Sequence, residues 1–181
     1  MSSFPNAEIL CTDIQTSRLV NLLEISDVTK SAALCIAAII TREIDEMCDL
    51  NIKETLLVAY KMIQDSDSST QKSLLYLIKL CIDVIHAEDA ADIFIDSKQI
   101  NFISIIHQFC GTGKSDVEAE TLDAFMRLFV KLQNLNKHQQ LLEEFVQSGC
   151  FNLLEEMRDT ENDELVEIID AIIEYLRVDE E

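Results

Sequence analysis

A chain of 181 residues with 48% apolar content can bury a core of its own without a disulfide or metal staple. With 34 acids against 14 lysines and arginines, its formal charge of −20 excludes nucleic acid and anionic membrane as partners, because binding either draws on clustered cations. Three glycines, one proline and no tryptophan are too few turn-builders for a β-meander, while abundant Leu, Ile, Ala, Glu, Lys and Gln favour helices.

Apolar residues at helical spacing predict a helix through Leu19, Val20, Leu22 and Leu23, a tight turn at Ile25-Ser26-Asp27, and a helix carrying Val28, Ala32, Ala33, Cys35, Ile36, Ile39 and Ile40. A short helix is expected near Glu43–Cys48, then one over Ile52–Ile63 and one from about Ser69 to Ile85. The turn between the last two, Gln64-Asp65-Ser66-Asp67-Ser68, is rich in side chains that accept hydrogen bonds from the N–H groups of a helix start. The plan returns as Ala87–Phe94, Ile100–Phe109, a Gly111-Thr112-Gly113 turn and Val117–Leu132, and again as Lys137–Gln147, Cys150–Met157 and Glu164–Leu176, with the acidic tail Asp179-Glu180-Glu181 expected to fray.

The long helices start near Val28, Thr70, Ser115 and Thr160, spacings of 42 and 45 residues. A period of this length, built from helices too weakly amphipathic to stand alone, predicts stacked helical repeats of the armadillo or HEAT type. The expected fold is therefore all-α: a right-handed α-solenoid of about four repeats in a single domain over residues 1–181, with hairpin units at about 16–42, 52–86, 100–134 and 150–177.

Six cysteines lie more than ten residues apart, with no CxxC pair and no histidine at metal-ligand spacing. Cys35, Cys81 and Cys110 fall in apolar runs, where a thiol behaves as a small hydrophobe, so a reducing compartment is expected. The opening Met-Ser-Ser-Phe-Pro-Asn has neither a basic nor an apolar stretch, and no run reaches the ~18 apolar residues of a membrane span. The expected location is cytoplasmic or nuclear.

Towards the C-terminus, Gln147-Ser148-Gly149-Cys150, Leu153-Leu154-Glu155-Glu156-Met157-Arg158, Glu161-Asn162-Asp163-Glu164 and Ile172-Ile173-Glu174-Tyr175-Leu176 resemble the atypical last repeat of the importin-α nuclear-transport adaptors. Thr70-Gln71-Lys72 and Leu122-Asp123-Ala124 also resemble stretches of that family's inner helices, so the resemblance runs from about residue 16 to the end and corresponds to the family's last four repeats. It implies a concave groove lined by the third helix of each repeat, where a tryptophan and, one turn later, an asparagine hold an extended basic peptide. In this register the tryptophan positions are Leu34, Tyr76 and Thr121, and the asparagine positions are Ala38, Leu80 and Phe125. None of the six matches. The backbone-holding amides of a cargo groove are absent, although Tyr76 could stack on a cation. The family's N-terminal basic segment is missing as well.

Gly113-Lys114-Ser115 is similar to the end of a phosphate-binding loop, but Gln108 stands where that pattern needs glycine and the preceding segment is helical. The expected role is an inter-helix turn, with Gly111 closing one helix by a left-handed cap and Ser115 capping the next. His86, His107 and His138 read as residues at helix ends, with His86 and the nearby Glu88 and Asp89 the nearest approach to a site. Leu34, Leu80 and Phe125 have two readings. Either the register is off by one and all three are core, or the groove has become an apolar stripe for a partner helix or a second copy of the protein. In the second case Asp83 and Glu118 would draw cations to the rim.

The function expected from these residues is non-enzymatic protein binding, with no cofactor and no metal, through a groove of Leu34, Ala38, Tyr76, Leu80, Asp83, Glu118, Thr121 and Phe125. The resemblance implies a nuclear-transport adaptor or regulator whose partner is an export receptor or a basic or amphipathic segment. The alternative is a scaffold or inhibitory subunit of a larger complex with no role in transport.

Overall fold

A computed structural model describes residues 13–41, 50–159 and 162–178. Every regular element among them is helical, as the composition dictates. The expected helix near Glu43–Cys48, the start at Thr160-Glu161, Cys11, Cys48 and the tail Asp179-Glu180-Glu181 lie outside the described residues. The chain gathers into two compact units, Met1–Ile85 and His86–Glu181.

The first unit contains α1 (Asp13–Leu23), α2 (Thr29–Thr41), α3 (Ile52–Ile63) and α4 (Ser68–Val84). The turn between α1 and α2 is fixed by Thr29, whose buried hydroxyl lies 2.9 Å from the carbonyl oxygens of both Leu23 and Ile25. Helix α4 begins at Ser68, within a residue of the expected start near Ser69, and Asp67 caps it: the Asp67 carboxylate accepts from the N–H groups of Ser69 at 2.9 Å and Thr70 at 3.0 Å, which supplies the partners a helix start lacks. The Thr70 hydroxyl adds a bond to the other carboxylate oxygen at 3.1 Å. The Thr70 N–H above all, then the Thr70 hydroxyl, holds the Asp67 carboxyl below the usual carboxylate range.

Helix α2 lies beside α4, and α1 and α3 complete the layer beneath. The heads of α2 and α4 are adjacent, because Lys30 Nζ donates to Ser69 Oγ at 2.6 Å. Leu23, Ile36, Leu56, Ile63, Leu74 and Ile78 are wholly buried, each removing apolar surface worth about 1.5–3 kcal/mol from water.

The second unit contains α5 (Ala87–Ala91), a π-helical turn (Asp92–Asp96), α6 (Phe102–Phe109), α7 (Ser115–Gln133), α8 (His138–Gln147), α9 (Cys150–Met157) and α10 (Asp163–Val178). The wide turn is the main departure from the expected helix Ala87–Phe94. Its signature bond runs from Ser97 N–H to the Asp92 carbonyl at 2.8 Å, and it buries three consecutive side chains, Ile93, Phe94 and Ile95. Five residues per ring narrow the arc over which neighbouring side chains fan out, so all three can face inward.

The core of this unit is aromatic. Phe125 of α7 stacks on Phe145 of α8 with ring centroids 4.9 Å apart, and Phe102 and Phe129 lie 6.2 Å from the Phe125 ring. Tyr175 of α10 meets Phe129 edge-on at 5.7 Å, and Phe94 of the wide turn meets Phe102 at 6.0 Å. Such pairs add about 0.5–1.5 kcal/mol each beyond the area they bury. Lys98–Glu144 and Lys137–Asp96, both at 2.6 Å, tie the segment after α5 to the region of α8, but at a solvent-screened surface such pairs contribute little.

Helix α10 has one apolar and one acidic face. Leu165, Ile169 and Ile172 are buried and Ile168 half-buried, while Asp163, Glu167 and Glu174 are exposed. Asp170 is half-buried and pairs with Arg158 at 2.8 Å. Glu161 and the Glu164 side chain lie outside the described residues. Ile169→Asp should therefore lower unfolding stability by about 3 kcal/mol or more by burying an unpaired charge, and Glu167→Ala should change it by less than about 0.5 kcal/mol. Denaturant melts of the two variants check this, and equal shifts would contradict the assigned faces. The Asp67 carboxyl sets a second test. Because its pKa is lowered on folding, its stabilising contribution is complete above the unfolded carboxyl pKa and is lost as pH falls through the folded one. The deficit of Asp67→Asn in a thermal melt should be present at neutral pH and should shrink as acid protonates the wild-type carboxyl.

Candidate functional site

Of the eight expected groove residues, the five from the first unit reach the surface and the three from the second do not. On α2, Leu34 is 46% exposed and Ala38 is exposed one turn later. On α4, Tyr76 and Leu80 are half-buried and Asp83 is exposed. Leu34 and Tyr76, like Ala38 and Leu80, stand 42 residues apart on two helices that lie side by side with adjacent heads, so the four occupy equivalent positions on one face of the unit. A turn earlier come Lys30 on α2 and Lys72 on α4; Lys79 lies between Tyr76 and Asp83. The Lys79 ammonium sits 5.0 Å above the Tyr76 ring.

The residues from α7 correct the sequence reading. Phe125 has no exposed surface, because its ring is the centre of the aromatic core, with Phe145 stacked on it and Phe102 and Phe129 alongside. Thr121 is also fully buried, its hydroxyl donating to the Val117 carbonyl at 2.7 Å. Glu118 is not a rim acid. It is 4% exposed and its carboxylate turns back to accept from the N–H groups of Thr112 at 2.8 Å and Gly113 at 2.9 Å. For these positions the core alternative holds, and the stripe alternative survives only on α2 and α4.

The same bonds settle the Gly111-Thr112-Gly113 turn. Gly111 adopts the left-handed conformation at φ +72° just past the end of α6, as expected of a helix-closing glycine, and a Cβ there would lie 3.0 Å from Leu153 Cδ1. Ser115 does not cap α7; Glu118 satisfies the N–H groups ahead of it instead. Those are the N–H groups that a phosphate would need, and they are engaged by the protein's own carboxylate.

One contact between chemistry-bearing side chains escaped the sequence reading, because 43 residues separate its members. Cys150 Sγ, at the first turn of α9, lies 3.5 Å from His107 Nε2 in the last turn of α6, and Ser148 Oγ lies 3.2 Å from the sulfur. A thiol beside an imidazole has the composition of a nucleophile and its base. The environment opposes that use: the Cys150 side chain is buried, and desolvation pushes its pKa up against a smaller opposing effect of Ser148. A protonated, enclosed thiol is not a nucleophile. Cys81 and Cys110 are also buried with their pKa values driven up by desolvation, whereas Cys35 is exposed. Among the described residues, no three His, Cys, Asp or Glu side chains are placed to hold a metal ion, and no helix is long and apolar enough to cross a membrane.

Charge is divided unevenly between the units. Up to Ile85 there are 7 lysines and arginines against 12 acids, and from His86 onward 7 against 22. Helix α2 carries no acid and α4 only Asp83.

Comparison with protein-family models, with curated proteins and with solved structures finds no match to this chain in any of the three.

Thiol alkylation of the native protein tests the assignment of the cysteines. Cys35 should be modified at the rate of an open thiol, and Cys81, Cys110 and Cys150 at least about tenfold more slowly, since enclosure and a high pKa both suppress the thiolate. Rapid selective labelling of Cys150, read by peptide mass spectrometry, would show that His107 activates it. At the turn, Glu118→Ala should lower stability by about 1–3 kcal/mol, because two N–H groups lose their acceptor in a part-buried site.

Proposed function

We propose that this protein is a non-enzymatic, protein-binding α-solenoid of about four armadillo-like repeats, similar in plan to the C-terminal repeats of importin-α, acting as an adaptor or regulator in nuclear transport. The observation that carries the binding role is the apolar strip of Leu34, Ala38, Tyr76 and Leu80, repeated at a 42-residue interval on α2 and α4, with Leu34 and Ala38 exposed and Tyr76 and Leu80 half-buried. The side-by-side placement of α2 and α4, and of α7 and α10 within the second unit, supports a repeat plan. Apolar surface held open on rigid helices is characteristic of a recognition face. On this reading the protein works in the cytoplasm or nucleus and meets its partner through unit one, while its terminal repeat docks a transport receptor.

Cargo holding of the importin-α kind is not part of this proposal. The positions that would carry the backbone-holding amides are Ala38, Leu80 and the interior Phe125, so a basic signal peptide finds neither amides nor a third groove segment.

A second reading, a permanent subunit of a larger assembly, is favoured by Leu22, Ile25 and Val28. These three large apolar side chains are exposed around the α1–α2 turn that Thr29 fixes, and Ile25 is 51% exposed. Calorimetric titration with importin-β-family export receptors separates the readings: micromolar or tighter binding supports transport, and no binding to any of them leaves the subunit reading. A lysine-rich nuclear-localisation peptide should bind no tighter than about 100 µM at physiological salt, because only diffuse attraction to the acidic surface remains. Low-micromolar binding that survives ~0.5 M salt would restore a cargo role.

A further inference from the structure

We draw no further inference here: the strongest candidate, the surface strip of Leu34, Ala38, Tyr76 and Leu80 on α2 and α4, carries nothing beyond the binding role proposed above, because nothing in the structure shows what covers it.

Discussion

The stack of Phe125 on Phe145, with Phe102 and Phe129 against its edges, constrains the second unit more than any other contact. It joins α6, α7 and α8 through one ring, and through Phe129 it reaches Tyr175 of α10. With Phe125 at its centre, α7 must turn that face inward, and the residues one and two turns before it follow: Thr121 becomes interior and bonds its own helix, and Glu118 turns to the preceding loop. An inner-helix groove running through this unit would need that face outward. The aromatic core and a groove at Phe125 are mutually exclusive, and the apolar gain of burying the ring decides between them.

The first unit is solved differently, and the contrast explains why only it presents a candidate surface. Helix α2 is nearly all small and apolar, so both its inner and outer faces are hydrophobic and burial beneath cannot use them all. Ala32, Ala33, Ile36 and Ala37 go inward; Leu34 and Ala38 remain outside. On α4 the outward face is mixed, with lysines interleaved among Tyr76 and Leu80, and the long lysine stems shield part of the apolar surface while keeping their charges in water.

The helices themselves were legible from periodicity, because 3.6-residue repetition is imposed by burial and survives in the sequence. Cys150–Met157 and Ile52–Ile63 fall where apolar spacing puts them, and the left-handed Gly111 is where a chain must reverse without a Cβ. What the sequence could not convey was which of several apolar faces a helix turns inward. Phe125 at a position equivalent to Leu80 has the same local pattern, yet one has aromatic partners from distant helices and the other has not. The capping residue of α4 was hidden for a related reason. Thr70 and Asp67 both suit a capping role, and only the placement of the Asp67 carboxylate beside two N–H groups distinguishes them. The meeting of Cys150 with His107 was invisible for want of any local spacing to read.

The wide turn at Asp92–Asp96 has the form of a one-residue insertion that the fold has absorbed. A helix that gains a residue must either rotate everything beyond it by about 100° or confine the excess to one loosened ring, and a π-helical ring does the latter. Ile93, Phe94 and Ile95 keep their inward positions, and Ile100 still reaches back to bond the Ile93 carbonyl at 3.2 Å. This stretch is thus the place where relatives of the chain could differ in length without disturbing the register of α6 onward. A relative lacking one residue here would carry an ordinary helical turn and pay with one of the three buried side chains, so an alignment gap at Asp92–Asp96 should be accompanied by a smaller or polar residue among positions 93–95.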